Sequence, residues 1–455
     1  MTMRELPDGE IAVLGLARSG TAVARLLLGE GRRVYASDGG TSAVVDANAR
    51  LLRDLGARVD TGGHDVARIA RAPLVVVSPG IPPSAPPIAA ARDSRAPIVS
   101  EVEIALRLMP RTKVIAITGT NGKSTTTALI GHLLRGLGVN AADAGNIGTP
   151  VSEIALRQQH PEWLALEMSS FQLHDTPGLE PVVGVLTNLS PDHLDRYPTA
   201  NDYYADKARL FCNASPDSRW ILNADDRRVR VMETDVPGAK FHFSTRALAD
   251  AWFDEPSSTL QLLGSQLLPR SELNLLGDHN VANALAAALA VAVADESFGS
   301  AESRLLISGA LRTFNALAHR LEIVGEIDGV QWINDSKATN VSSSVVAVAG
   351  MRRPTILLLG GRHKGEPYTS LADPIRRTVK KIIAYGEAAP IIESELAGIT
   401  EVERLGADFG EVMRRAHESA RAGDAVLLSP ACSSFDMFTN YEERGLRFRQ
   451  LAMVK

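Results

Sequence analysis

The sequence predicts an α/β chain of three domains. Three observations carry that prediction: a βαβ start at residues 10 to 38, a strand, Gly-rich turn and helix at 113 to 137, and a strand/helix alternation resuming near 318. The expected architecture is a Rossmann-like N-terminal domain over 1–109, a central P-loop ATPase-type parallel sheet over 110–317, and a Rossmann-like α/β C-terminal domain over 318–455. A length of 455 residues fits about three domains, and 45% hydrophobic residues suffice for ordinary cores.

In the first domain, EIAVLGLARSG, TAVARLLLGEG and RRVYASD read as strand, turn and helix, then a second strand ending in Asp38. A dinucleotide fingerprint has a glycine at position 17, where this chain has Ala17 between Gly15 and Gly20. Two readings stay open. In one, a nucleotide or nucleotide-sugar docks on the turn formed by Leu16, Ala17, Arg18, Ser19 and Gly20, with Asp38 near its base or ribose. In the other the unit is an ordinary βαβ and Asp38 caps a loop. LVVVSPGIPP (74 to 83) reads as a buried parallel strand closed by a Pro/Gly turn, and Pro110-Arg111 separates this unit from the next.

The centre of the chain is TGTNGKST, 118 to 125. Gly119 and Gly122 free the turn for backbone N–H groups to point inward, and the following helix adds the partial positive charge of its N-terminus. Thr120, Asn121 and Thr125 complete a phosphate cradle, Lys123 reaches the terminal phosphates, and Ser124 or Thr125 offers a hydroxyl to magnesium. The strict pattern departs at one position, Ile117 standing where a glycine is usual; the bland alternative is a Gly-rich strand-to-helix turn. Ligands of parallel sheets lie beyond the carboxyl ends of the strands, so Glu167 after WLAL and His193 after VLTNLSPD are expected to face those phosphates. A carboxylate and an imidazole suit magnesium chemistry, although each alone reads equally as a satisfied polar residue. Asn280 and Asn283 open an Ala-rich helix, where capping accounts for one of them.

Beyond 318, strands VQWIND, TILLLGG, KKIIAYG and AVLLSP alternate with helix-like segments. Directly after three of them come DSKATN, GGRHKGEPY and SPACSSFDMF, polar loops at strand ends of the kind that form a binding face. A net charge of -5 gives no basic field, which argues against nucleic acid as a partner. Cys212 and Cys432 lack metal-ligand spacing and predict no disulfide framework. The polar start and the short Ala-rich run near 284 to 294 predict neither a signal peptide nor a membrane span, so the expected location is cytoplasmic. No obligate protein partner is evident.

Taken in order, TGTNGKST, LEMSSFQL, DHLDRYP, HN with Asn283 three residues on, HR, NDSKATN, GGRHKG and SPACSSFDMF resemble the Mur ligase family along the whole chain. Within it, the N-terminal unit, NDSKATN and SPACSSFDMF resemble the branch that adds D-glutamate. The resemblance implies an ATP- and Mg2+-dependent ligase of peptidoglycan precursor synthesis. ATP would phosphorylate the carboxylate of UDP-N-acetylmuramoyl-L-alanine, and the amine of D-glutamate would attack the acyl phosphate. It implies that Lys123 and the backbone of 119 to 125 hold phosphates, with Ser124 and Glu167 at one magnesium and His193 and Lys207 at a second. Asn146 would lie near the acyl substrate, while Asn283, Arg320 and Asp335 would hold the nucleotide. Lys337, Thr339, Lys364, Ser434, Phe435 and Tyr441 would surround D-glutamate. Lys207 would act as a carbamate, whereas its residue context alone reads as an exposed helix lysine. Gly39-Gly40 offers only backbone to a uracil. The nearest rivals are another Mur-type or folylpolyglutamate-type ligase, and a nucleotide-binding module without ligase activity.

Overall fold

The computed structural model describes residues 6–82, 84–193 and 196–454. They form two compact units, one comprising the described residues up to 272 with 282–312, the other 273–281 with the described residues from 313 on.

The first unit carries two sheets. In the N-terminal one, β1 (Glu10–Leu14), β2 (Arg33–Asp38), β3 (Arg58–Thr61), β4 (Val75–Val77) and β5 (Ile98–Ser100) run parallel in the order β3-β2-β1-β4-β5. The inner strands β1, β2 and β4 are largely buried and covered on both faces, as parallel crossovers require. The run predicted over 74 to 83 is strand only at Val75–Val77; Pro83 lies outside the described residues.

The central sheet is built from β6 (Lys113–Thr118), β7 (Ala141–Gly145), β8 (Trp163–Glu167), β9 (Val183–Leu186), β10 (Arg219–Asn223), β11 (Ala239–Ser244), β12 (Ala251–Asp254), β13 (Thr259–Leu262) and β14 (Ser265–Pro269). Its order is β14-β13-β12-β11-β10-β9-β6-β8-β7. The strands from β7 to β10 that flank β6 are parallel, while β12, β13 and β14 turn antiparallel at the far edge. That edge escapes a reading based on βαβ spacing because hairpins need no intervening helix. The two sheets of this unit share buried apolar residues, and the Glu101 carboxylate at the end of the first accepts hydrogen bonds from the N–H groups of Val151 (3.3 Å) and Ser152 (2.9 Å), opening a helix of the second.

In the second unit β15 (Glu322–Ile327), β16 (Val330–Asn334), β17 (Thr355–Gly360), β18 (Val379–Tyr385), β19 (Glu401–Arg404) and β20 (Ala425–Leu428) form a sheet ordered β15-β16-β20-β17-β18-β19. Only the β15/β16 pair is antiparallel. Apolar clusters cover both faces, including Leu357, Leu359 and Ile382 on one and Trp332, Leu358 and Phe448 on the other. No helix among the described residues is long and apolar enough to cross a membrane.

Candidate active site

The phosphate-type loop leaves β6 at Thr118 and enters the helix Lys123–Gly136. Both glycines are required by geometry. Gly119 has φ +141, and a Cβ there would stand 2.0 Å from Thr187 Oγ1; Gly122 has φ +84, and a Cβ there would stand 2.4 Å from Asn283 Oδ1. Ile117, the departure from the strict pattern, is a buried strand residue paired with Glu167 on one side and Val185 on the other. The turn begins after it, so nothing there needs a glycine.

The loop is clamped to the segment that follows β9. Thr120 N–H donates to Asn188 O (2.8 Å), Asn121 N–H to Asn188 Oδ1 (2.9 Å), and Thr187 Oγ1 to Asn121 O (2.6 Å). Two lysines converge on one carbonyl: Lys123 Nζ donates to Gly119 O at 3.0 Å and Lys207 Nζ to the same oxygen at 2.7 Å. Lys123 also reaches Thr120 O. Lys207 is 1% exposed, which overturns its reading as a surface lysine. Burial, and then the neighbouring Lys123 ammonium, push its pKa well below the ordinary lysine value. Its Nζ lies 4.7 Å from the centre of the Tyr203 ring.

Glu167 ends β8 and is buried. Its Oε1 accepts from Asn146 Nδ2 (3.0 Å), while Oε2 is buried without a hydrogen-bond partner. An anionic oxygen left so is costly unless a cation or donor joins it. Asn146, expected near the acyl substrate, therefore orients this carboxylate. His193 has φ 55, and its ring meets Phe171 edge-on at 5.3 Å and Tyr203 at 6.0 Å, so the Tyr203 ring touches both His193 and Lys207. Ser124 and Thr125 are buried in the first turn of the loop helix. Among the described residues no group of three His, Cys, Asp or Glu side chains stands at metal-holding distances. Magnesium usually takes only one or two protein carboxylates, the rest of its shell coming from water and substrate phosphates. The orphaned Glu167 oxygen fits that demand.

Capping is expected of one of Asn280 and Asn283, but neither stands at the first residue of the helix. Both lie inside the helix Asp278–Ala294; Asn280 Nδ2 donates to Leu276 O (2.8 Å), and Asn283 Oδ1 accepts from Thr126 Oγ1 (3.3 Å) beside Gly122. A cleft of about 950 Å³, which the motifs did not signal, opens past the ends of β10 and β11 between Tyr204, Asn223, Arg228, Thr245 and Ala282.

At the N-terminal turn, Asp38 Oδ2 accepts from Leu16 N–H (2.7 Å) and Oδ1 from Gly40 N–H (2.7 Å), the loop-capping geometry of the blander reading. Leu16 is buried and its carbonyl accepts from Thr21 and Asn48, so it braces the turn, whereas Ala17 is exposed and Ser19 half-exposed. Arg18 pairs with Glu153 (2.7 Å) and donates to Gly148 O (2.7 Å), which draws the turn to the segment holding Asn146.

In the second unit the three polar loops share one end of the sheet. Arg362 N–H donates to Ser433 O (2.9 Å), Ala431 N–H to Ala338 O (3.0 Å), and Ser336 Oγ to Tyr441 O (2.8 Å). Behind them lies a residue no motif announced. Arg444 is fully buried, with its guanidinium donating to Ser336 Oγ (2.9 Å), Ser336 O (2.8 Å) and Cys432 O (3.2 Å). On this frame Lys337 Nζ lies 5.3 Å from the Tyr441 ring centre, Thr339 is half-exposed, Ser434 is buried, and Lys364 and Phe435 face solvent. Asp335 accepts from Leu321 N–H (3.2 Å) and Ser429 Oγ (2.8 Å); burial pushes its pKa up to about 7. Arg320 stands near enough to counter part of that rise. Asn283 belongs to the first unit, and Arg320 and Asp335 belong to the second. Cys212 is exposed and Cys432 buried, both as free thiols.

Family models match all three parts of the chain. Residues 9–100 match the Mur ligase MurD-like N-terminal domain, 117–291 the Mur ligase middle domain, and 319–432 the Mur ligase, glutamate ligase domain. The UDP-N-acetylmuramoylalanine--D-glutamate ligase of Desulfatibacillum aliphaticivorans is 38% identical over 448 residues, 98% of each chain. The enzyme of that name from Syntrophotalea carbinolica is 40% identical over 447 residues, 97% of each chain. Among solved structures, the UDP-N-acetylmuramate-alanine ligase MurC of Thermotoga maritima superposes with a TM-score of 0.62 at 18% identity, covering 97% of this chain and 98% of that one. The MurF ligase of Thermotoga maritima, solved in complex with ADP, gives 0.60 at 16% identity, covering 99% and 96%. At those identities the superpositions speak for the fold.

Proposed function

The chain belongs to the Mur ligase family, and from that premise we propose that it is the ATP-dependent ligase joining D-glutamate to UDP-N-acetylmuramoyl-L-alanine, a cytoplasmic step of peptidoglycan precursor synthesis. The observation that carries the reading is the meeting of Lys123 and Lys207 on the Gly119 carbonyl, in a loop whose neighbouring strand ends in the half-satisfied Glu167. The Lys123 ammonium and a helix N-terminus at one turn suit the terminal phosphates of ATP.

A free carboxylate is a poor acyl donor. Transfer of the γ-phosphoryl group to the alanyl carboxylate oxygen releases ADP and makes an acyl phosphate. The amine of D-glutamate then attacks the carbonyl carbon, the C–O bond to phosphate breaks, and the amine gives up its proton as the amide forms. Lys123 would move from its loop carbonyls to the phosphates and hold the transferred group in line. Magnesium, when bound, neutralises the charge of the phosphoryl oxygens. Glu167 and Ser124 would hold one such ion, and His193 with Lys207 a second. An ammonium cannot be a metal ligand, but a neutral amine can add carbon dioxide and lose a proton to become a carbamate anion. The burial of Lys207 favours that neutral form.

In the other unit, Lys337, Thr339, Lys364, Ser434, Phe435 and Tyr441 would receive D-glutamate, while Asn283, Arg320 and Asp335 would hold the nucleotide. The turn of Leu16 to Ser19 with Asp38 would receive the uridine end of the acyl substrate, through exposed Ala17 and backbone. The proposed domains remain 1–109, 110–317 and 318–455. An acceptor screen tests the reading: phosphate release with ATP and UDP-N-acetylmuramoyl-L-alanine should be fastest with D-glutamate. Preference for L-alanine or diaminopimelate would overturn it.

A further inference from the structure

Resting on the magnesium reading above, we propose that Asp206 is a positioning residue that holds the segments bearing Glu167, His193 and Lys207 in register. Its carboxylate collects three donors from three places. Oδ1 accepts from His174 Nδ1 (2.8 Å) and Arg209 Nε (3.1 Å), and Oδ2 accepts from the Tyr197 hydroxyl (3.0 Å).

Each donor but the local Arg209 is a short chain step from a proposed ligand. His174 ends the helix Ser170–His174, which starts three residues after Glu167. Tyr197 donates its backbone N–H to the carbonyl of His193 (2.9 Å). Asp206 itself precedes Lys207 on the helix Ala200–Ala208. Successive residues of a helix point about 100° apart, so the helix presents the Asp206 carboxylate and the Lys207 amine in different directions. Fixing the carboxylate fixes the rotation of the helix about its axis and, with it, the direction of the Lys207 stem. The rings reinforce the same geometry: Tyr197 stacks on Phe171 at 5.3 Å with 8° between planes, and Phe171 meets His193 edge-on.

The bland account is a helix cross-link that only adds stability. The two separate in what they predict for metal affinity. Residues that orient metal ligands usually cost about 10-fold or more in affinity when removed, whereas a cross-link far from any ligand costs folding stability alone.

The experiment is Mn2+ binding to the full chain in the presence of ADP, read by electron paramagnetic resonance, with ADP affinity and the melting temperature measured alongside. Asp206→Ala should weaken Mn2+ about 10-fold while ADP affinity stays within about twofold and the protein remains folded. Unchanged Mn2+ binding overturns the proposal, as does loss of metal and ADP binding in parallel with the melting temperature. If Asp206→Ala does not fold, the double variant His174→Ala/Tyr197→Phe decides by the same criteria, since it removes two donors and keeps the carboxylate. Glu167→Gln tests the underlying reading: Mn2+ binding unaffected by that change overturns the magnesium site itself. Binding lost in Glu167→Gln but intact in Asp206→Ala overturns only the role of Asp206.

Discussion

The phosphate loop of the first unit and the three-loop face of the second are built in opposite ways. The loop is a short stretch of contiguous chain, with glycines where side chains would strike Thr187 or Asn283, and its chemistry sits on its own backbone and on Lys123. The three-loop face is assembled from segments far apart in sequence and braced from behind by one buried guanidinium that touches no exposed surface. A site carried by contiguous backbone announces itself as a motif. A site assembled from distant loops announces only its parts.

The comparison breaks first at Lys207, a group brought to the phosphate loop from a distant helix. Lys207→Ala should be nearly inactive, and acetate or propionate, occupying the vacated space as an oxygen donor, should restore part of the rate in a steady-state phosphate-release assay. Full activity, or a folded variant that no carboxylate rescues, removes the carbamate from the account. Next in size, Lys123→Ala should lower turnover by about 100-fold or more, the scale of losing a preorganised charge contact, with an unchanged thermal melt.

On the assembled face the effects should be smaller and should fall on a different substrate. Lys364→Ala and Ser434→Ala should each raise the apparent KM for D-glutamate more than that for ATP, in initial-rate measurements varying each substrate in turn. Equal effects on both substrates would turn these loops into structural supports.

The smallest effect concerns pH. Burial raises Asp335 from its ordinary 3.8 to about 7, against the hydrogen bonds from Ser429 and Leu321 and the charges of Arg320 and Arg444. The folded state therefore keeps a proton that the unfolded state has already released. This group costs no stability below pH 3.8, costs more as pH rises through the window, and reaches its full cost above about 7. Asp335→Asn should flatten that slope, so denaturant midpoints of ligand-free wild type and variant should differ more at pH 8 than at pH 4. Parallel curves would contradict the assignment.

The same contrast explains what was legible in the sequence. The α/β class, the P-loop and the three polar loops follow from periodicity and punctuation, since glycines and strand ends mark them locally. Ile117 departs from the strict pattern because it is still a buried strand residue, one position before the turn begins. Lys207 and Arg444 were opaque for one physical reason. Each is a helix residue of a type ordinarily exposed, and each is buried where backbone carbonyls from remote segments accept hydrogen bonds from it. Asp206 belongs with them: apart from Arg209 three residues on, its donors are brought to it by folding.

The account rests on phosphoryl transfer to the acyl substrate preceding amine attack, and trapping that intermediate tests it most directly. With ATP, Mg2+ and UDP-N-acetylmuramoyl-L-alanine but no D-glutamate, hydroxylamine should capture the alanyl hydroxamate as ADP forms, detected by mass spectrometry. Lys123→Ala should give neither product at a comparable rate. Absence of both hydroxamate and ADP until D-glutamate is added would contradict a stepwise acyl phosphate.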